Sequence, residues 1–366
     1  MEKPTVICLT PVKNEAWILD RFLKCASLWA DHIIVADQNS SDGSVKIAQR
    51  FQKVRLIQND VNKFNEPERV QMLLAESRKI PGLRLLISLD ADEFLTSNFV
   101  KSAEWQTMLN CEVGTLISFD RVNIFPGMSH YWFEGRVFGF MDDGSPYQGP
   151  AIHSPRVPLP IDAPTLALKE IKVMHYQYTD WDRMWSKQRW YQCYELVHGP
   201  TRSPAKLYRK YHHMYSVRPD EFHPIPSSWF ENYAAHAIDM TSTLRESAFW
   251  WDKEVLHFFR DYGVTLFSKL DIWDQDWVSL AKREGFRDAH MFEDPRSKLE
   301  KLAHRALRRS RGPTRPILKR VADYGSSVPS DIRPTARRGL LYYCCLSILS
   351  WAPLQALGRL RRSFGL

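Results

Sequence analysis

Asp90, Asp92 and Glu93 stand directly after Leu83–Leu89 (LRLLISL), the most apolar of the expected strands. Carboxylates at i and i+2, just past a buried strand, emerge where the chain leaves the sheet and can converge on one hard cation. Mg²⁺ and Mn²⁺ take oxygen ligands and are commonly shared between a few protein carboxylates and substrate phosphates. A nucleoside diphosphate is a poor leaving group until its developing charge is offset, which a divalent ion does as a Lewis acid. Asp-x-Asp also occurs in merely solvated loops, so its position after LLISL is what gives it weight here. Glu93 is placed to brace the two aspartates.

Two more polar groups share this placement. Pro11–Glu15 (PVKNE) follows the apolar run Thr5–Thr10, and Asp37 follows His32–Ala36 (HIIVA). The first suits a grip on ribose or base, and equally a helix start in which Asn14 caps and Glu15 complements the dipole. Asp37 is placed to accept a hydrogen bond from a nucleobase edge or ribose, or to serve as a turn residue.

These positions need elements to hold them. Apolar residues from Trp17 to Trp29 recur at three- and four-residue steps, predicting a helix over Glu15 to about Ala30. The polar turn Asp37–Gly43 suits the N-cap of a helix from Val45 to Phe51. A third strand is expected at Val54–Gln58, a helix from Pro67 to about Lys79, the fourth strand at Leu83–Leu89 and a fifth at Thr115–Phe119. Strands alternating with helices imply an α/β fold with a mainly parallel sheet covered on both faces. Ligands bind beyond the carboxyl ends of such strands, where Pro11, Asp37 and Asp90 all lie. Val122 to Pro164 reads as loop-rich, and helical patterns return at Trp181–Val197 and Ser242–Tyr262.

In ordered combination PVKNE, IIVADQNSSDGS and LISLDADEF resemble the inverting nucleotide-diphospho-sugar transferases of glycosyltransferase family two, with the GT-A (Rossmann-like) fold. The resemblance is closest to the branch with an Asp-x-Asp-Glu metal motif, which contains bacterial surface-polysaccharide and lipooligosaccharide transferases. It covers Val6 to Phe94 and extends to His175. It implies that Pro11, Lys13, Asn14, Glu15 and Asp37 line the nucleotide pocket and that Arg69 meets the base or diphosphate. Asp90 and Asp92 would hold metal and ribose, and His175 in VMHYQY would complete metal or diphosphate binding. Tyr147–His153 (YQGPAIH) resembles the branch's Gly-x-x-His-Glu segment near the acceptor, which makes His153 a catalytic candidate. Ser154 stands where that segment often has Glu. The implied reaction moves a hexose-like sugar from a nucleotide-diphospho-sugar, UDP-type by the family, to a hydroxyl of a glycan or glycolipid, with Mn²⁺ or Mg²⁺ as cofactor.

Inversion needs a carboxylate to take the proton of the acceptor hydroxyl. Glu134, Asp142, Asp143, Asp180 and Asp182 are the candidates; Asp180 and Asp182 are favoured, since inverting relatives place the base well after the metal motif. The second functional class is a catalytically silent GT-A-like protein that binds carbohydrate or membrane. The chain has neither a Gly-x-Gly-x-x-Gly after the first strand nor a phosphate-cradling Gly-Lys-Ser/Thr loop, which disfavours dinucleotide and P-loop enzymes.

With 366 residues, 44% apolar and 25% charged, the composition is that of an ordinary globular protein with a net charge of +8. That charge is uneven. From Arg296 to Arg362 there are 16 Lys and Arg against 3 acidic residues, a surplus of 13, which leaves the rest at about −5. Leu340–Leu357 is apolar and flanked by arginines, which suits a helix lying on an anionic membrane surface. Expected divisions are a GT-A domain over 1–240, a helical extension over 241–307, and a basic linker with an amphipathic tail over 308–366. The N-terminus has no basic-then-apolar signal pattern, and the six cysteines show no scaffold density, which predicts reduced thiols and a cytoplasmic protein at the inner face of the cytoplasmic membrane. No nucleic-acid partner is expected, for want of a recognition motif.

Overall fold

A computed structural model describes residues 3–60, 64–199, 204–212, 221–242 and 248–310. They form two compact units: residues 1–180 with 223–246, and 181–222 with the described residues from 248 onward. The segment 181–222 thus groups with the second unit, whereas the sequence pattern placed it in a domain ending at 240. The linker and the apolar stretch Leu340–Leu357 lie outside the described residues.

The first unit is a mixed α/β fold of the GT-A kind. Its nine-stranded sheet begins with β1 (Thr5–Val12), β2 (His32–Asp37), β3 (Val54–Gln58) and β4 (Arg84–Ser88), in the order β3-β2-β1-β4 and all parallel. β1, β2 and β4 read as unbroken apolar runs because both faces are covered. Alternate residues go to opposite layers. Val6, Cys8, Ile33, Val35, Leu85 and Ile87 pack with Leu19, Phe22 and Leu23 of α1 (Leu19–Ala26). Ile7, Leu9, Ile34, Ala36 and Leu86 pack with Val70, Leu73 and Leu74 of α3 (Glu66–Ser77). Each such fully buried side chain contributes about 1.5–3 kcal/mol of transfer free energy, so the two layers fix where the strand ends emerge.

The remaining strands complete the sheet. β5 (Glu93–Leu95), β6 (Leu116–Ile124), β7 (His130–Met141) and β8 (Thr165–His175) continue the order as β4-β7-β6-β8-β5, with β9 (His223–Pro224) on β7. β7 runs antiparallel to β4 and β6, and β5 antiparallel to β8. The loop-rich reading of Val122–Pro164 is therefore corrected: β7 is a long central strand. Its first eight residues are mostly half-exposed and its last four are all buried, so no period-two alternation marks it. Gly139 fits closely there, since a Cβ would lie 3.0 Å from Ile117 Cβ and 3.2 Å from the Leu86 carbonyl and would crowd both.

Helix starts also differ from expectation. α1 begins only at Leu19, with Ile18 as an N-cap that makes no side-chain cap bond. The helix after β2, α2 (Ser44–Ala48), begins behind Gly43 at φ 98°, which has no side chain to cap it. The polar residues expected to cap them bond largely between the two turns, as described below. α4 (Ala103–Leu109) and α7 (Glu231–Ala235) complete the helices of this unit.

The second unit is helical: α5 (Trp181–His198), α6 (Pro204–Tyr211), α8 (Trp250–Tyr262), α9 (Trp277–Arg283) and α10 (Lys298–Ser310). Buried Arg189 of α5 forks onto Asp252 of α8, both contacts at 3.0 Å, and reaches Asp274 at 3.0 Å. Phe259 stacks on Trp273 with centroids 5.2 Å apart. Among the described residues no helix is long and apolar enough to cross a membrane, and Cys8, Cys25, Cys111 and Cys193 are free thiols.

Candidate active site

The ends of β1 and β2 are laced together. Register places Val12 beside Asp37, and Asp37 beside Gln58. Asn14 takes φ 54°, in the left-handed region where Asn is enriched. Its N–H donates to Ser40 Oγ at 2.8 Å, and its Oδ1 accepts from the Ser41 N–H at 2.8 Å. The Glu15 N–H donates to Ser44 Oγ at 2.9 Å and the Ala16 N–H to Asp42 Oδ2 at 2.8 Å. The NSSDGS turn is thus a clasp for the turn after β1, and Asp42 serves both, its Oδ2 taking the Ala16 N–H and its Oδ1 the first N–H of α2, that of Ser44, at 3.0 Å. Glu15 Oε2 accepts from the Trp17 indole at 2.7 Å; Pro11 and Lys13 are half-buried beside it.

Asp37 is 1% exposed. Its Oδ2 accepts from the Ser40 N–H at 3.0 Å, while its buried Oδ1 has no partner. A buried acceptor left unmade costs about 1–3 kcal/mol, so Oδ1, which has no partner among the described residues, suits a donor from a ligand. Arg69 on α3 has the complementary need. Its guanidinium lies 4.8 Å over the Phe64 ring, and its buried Nε has no partner.

The acidic cluster is organised by pairing of strands. β5 sets Glu93 opposite His175 of β8, and β6 sets Asn123 opposite His175. Asn123 Oδ1 meets His175 Nδ1 at 2.8 Å, and His175 Nε2 lies 3.7 Å from Asp92 Oδ2. With Asn123 as acceptor, Nδ1 carries the proton and Nε2 presents its lone pair toward Asp92. Asp92 and His175 are 6% and 4% exposed.

Asp90 does not join them. Its carboxylate is gripped by Arg156, Nη2 to Oδ2 at 2.7 Å and Nη1 to Oδ1 at 2.6 Å. Arg156 also reaches Glu93 at 3.0 Å, and Arg121 approaches Glu93 at 3.6 Å. Glu93 Oε2 further accepts from the Asp90 N–H at 2.9 Å. Burial pushes the Glu93 carboxyl up to about 6, with Asp90 and Asp92 adding to the rise against the pull of Arg156 and Arg121. Burial disfavours the Arg156 cation, but Asp90 and Glu93 more than offset that and hold it charged. Among the described residues no three His, Cys, Asp or Glu side chains gather as a metal cage. Of the expected set Asp90, Asp92 and His175, the structure brings Asp92 and His175 together, while the Asp90 carboxylate is held by the Arg156 guanidinium. Asp92 and His175 are the residues that would hold a divalent ion, alongside diphosphate oxygens and water.

Arg156 was not legible in advance, nor was Glu66. Glu66, in the first turn of α3, accepts from the Ser154 N–H through Oε2 at 2.6 Å, and its own N–H donates to the Ala151 carbonyl at 3.2 Å. A carboxylate from α3 therefore stands against position 154, where the sequence has no Glu. Tyr147 ties the same loop by donating from its hydroxyl to the Pro155 carbonyl at 2.8 Å. A Cβ on Gly149 would meet Ser154 Oγ at 2.5 Å, so a larger residue there would displace the Ser154 hydroxyl. His153, at φ 62°, is exposed on it.

Two of the five carboxylates considered as bases are bound by arginines and lowered below their ordinary values. Asp142 is bound by Arg78 at 2.9 Å and Arg84 at 3.1 Å; burial raises its carboxyl, but these contacts and the Gly144 N–H bring it below the ordinary value. Burial likewise raises Glu134, and Arg121 and Arg136 bring it below. Asp143 is exposed. Asp180 is half-buried, two residues after Tyr178, whose ring lies 5.8 Å from that of His175. Asp182 is exposed in α5, in the second unit.

Three solved structures show limited likeness. One is a 4-diphosphocytidyl-2C-methyl-D-erythritol synthase, at 13% identity and TM-score 0.25, over 32% of this chain and 61% of that one. A mannose-1-phosphate geranyltransferase from Thermus thermophilus shows 14% identity and TM-score 0.25, over 37% of this chain and half of that one. HddC from Yersinia pseudotuberculosis shows 9% identity and TM-score 0.27, over 46% of this chain and 92% of that one. Residues 7–103 match the model of glycosyl transferase family 2. Over β1 to β5, the stretch that carries Asn14, Asp37, Arg69 and the Asp90–Glu93 cluster, the chain is similar to that transferase family.

Proposed function

We propose that the protein transfers a sugar from a nucleotide-diphospho-sugar to a hydroxyl acceptor on a cell-surface glycan or glycolipid, with inversion and with Mn²⁺ or Mg²⁺. The carrying observation is Asp37: a buried carboxylate oxygen without a partner among the described residues, at the carboxyl edge of a parallel sheet that also bears Asp90 and Asp92 just past β4, two strands away across β1. Asp37 accepts from the base or ribose, and Arg69 donates to the base or diphosphate. Asp92 and His175 would hold the metal, which supplies Lewis-acid stabilisation of the departing diphosphate. Glu93 stays buried behind them and fixes the turn through the Asp90 N–H. Asp180 is the proposed base ahead of Asp182, because it lies in the same unit as the cluster. A UDP-type donor and attachment through the basic tail belong to the same proposal.

One observation favours the silent alternative: Arg156 already supplies positive charge at Asp90, where a metal-dependent enzyme would be expected to keep the carboxylate available. Thermal melts across a panel of nucleotide sugars, with and without Mn²⁺, separate the two, since a ligand of the native state raises Tm. The transferase reading expects one donor to stabilise the protein, and more strongly with Mn²⁺. No stabilisation by any donor would leave the silent reading.

A further inference from the structure

The second unit contains a cavity of about 270 Å³ lined by Arg296, Lys301, His304 and Arg305. Pockets for drug-sized ligands run to roughly 300–1,000 Å³, so this one suits a small polar group. Its charge is one-sided. Asp294 offsets one cation, binding Arg296 at 2.9 Å through both oxygens and Lys301 at 3.3 Å. With Asp294 shared by Arg296 and Lys301, and Asp271 against His304, the surplus of positive charge in the lining is that of Arg305.

The donors are pre-placed. The Arg296 side chain is only 10% exposed and lies 5.9 Å over the Trp273 ring. Asp271, itself buried, turns His304 by its Nδ1 at 3.3 Å, and receives His212 Nε2 on its other oxygen at 3.0 Å. Asp294 occupies the Nε and Nη2 of Arg296, which fixes the guanidinium plane and leaves Nη1 as the group that can donate to a phosphate oxygen. The same helix, α10, exposes Leu299 and Leu302 by 58% and 57%. Basic side chains beside exposed leucines are the composition of a surface that meets a bilayer at headgroup depth.

We propose that this cavity binds the phosphate of an anionic membrane lipid, with Leu299 and Leu302 entering the interface beside it. A lipid, rather than free phosphate, is the occupant because the leucines are exposed next to the cations and because the sequence from Arg296 to Arg362 carries a surplus of 13 positive charges. The site stands apart from the transferase reading and would exist in a silent protein.

The test is co-sedimentation of the full chain with vesicles of equal parts phosphatidylglycerol and phosphatidylcholine, against phosphatidylcholine alone. Wild type is expected to bind the mixed vesicles selectively. Lys301→Glu with Arg305→Glu is expected to weaken that binding by about tenfold or more, each basic residue near the surface being worth several-fold. Leu299→Ser with Leu302→Ser changes only exposed side chains and is expected to weaken it too, with Tm unchanged. Equal binding by wild type and the charge-reversed variant overturns the proposal, since other basic residues would then account for attraction. Inorganic phosphate that raises the Tm of wild type but not of the variant, with vesicle binding equal in both, overturns the lipid assignment in favour of free phosphate. Donor turnover in a detergent-free soluble assay is expected to be the same in all three proteins, which keeps this result separate from the catalytic one.

Discussion

Arg156 forks onto Asp90, Nη2 to Oδ2 at 2.7 Å and Nη1 to Oδ1 at 2.6 Å, and the same guanidinium neutralises fully buried Glu93. Removing it leaves Glu93 with the Arg121 cation at 3.6 Å and the neutral Asp90 N–H at 2.9 Å. Breaking a buried pair from one side costs about 3–5 kcal/mol, because the remaining charge stays buried. Arg156→Ala is therefore expected to lower the urea midpoint sharply, and Arg156→Ala with Glu93→Gln to recover much of the loss. A single variant that unfolds like wild type would show that the ion pair is not what holds the loop to the sheet.

Asp37→Ala tests the nucleotide side. A hydrogen bond to a charged group is worth about 1.5–3 kcal/mol, or roughly ten- to a hundredfold in affinity. Titration calorimetry with UDP and Mn²⁺ is expected to show that loss, with a modest fall in the melt because the Ser40 N–H loses its bond to Oδ2. Unaltered UDP affinity would remove Asp37 from the pocket.

Gly139→Ala tests the join between the parallel and antiparallel halves of the sheet. The added methyl meets Ile117 Cβ at 3.0 Å and the Leu86 carbonyl at 3.2 Å, and overpacking of this kind costs about 1–3 kcal/mol. Gly135→Ala on the same strand is the control, since its nearest neighbour would be Asp120 Oδ1 at 3.9 Å. Chemical denaturation is expected to separate the two; equal midpoints would mean that β7 does not lie against β4 and β6 as described.

Asp142→Asn carries the pH dependence. The folded carboxyl is lowered below 3.8 by Arg78, the Gly144 N–H and Arg84 acting against burial. The unfolded chain therefore binds the proton more readily. The stabilisation is full above the unfolded value and is lost as pH falls through the folded one. Melts at neutral pH are expected to show the variant less stable than wild type, with the gap closing in acid below about pH 4. A gap independent of pH would assign the effect to packing instead.

The parallel half of the fold was legible because its strands are long apolar runs ended by polar turns; Val54–Gln58 and the strand before Asp90 fall where the pattern puts them. The antiparallel half was not. β7 is half-exposed along most of its length, and Gly135 and Gly139 look like loop residues until their neighbours are known. At the site, strand-end residues could be found from position alone. Arg156 and Glu66 could not, because their roles arise from contacts across 66 and 88 positions with Asp90 and Ser154. Local spacing carries no trace of such pairs.

The central claim is that Asp92 takes part in metal-dependent donor chemistry. Its most direct test is release of nucleoside diphosphate from the donor found by the melt panel, measured for wild type and Asp92→Ala with and without Mn²⁺. The account predicts Mn²⁺-stimulated release in wild type and its loss in the variant, with the variant's circular dichroism unchanged. Release by a folded Asp92→Ala protein at the wild-type rate would contradict it.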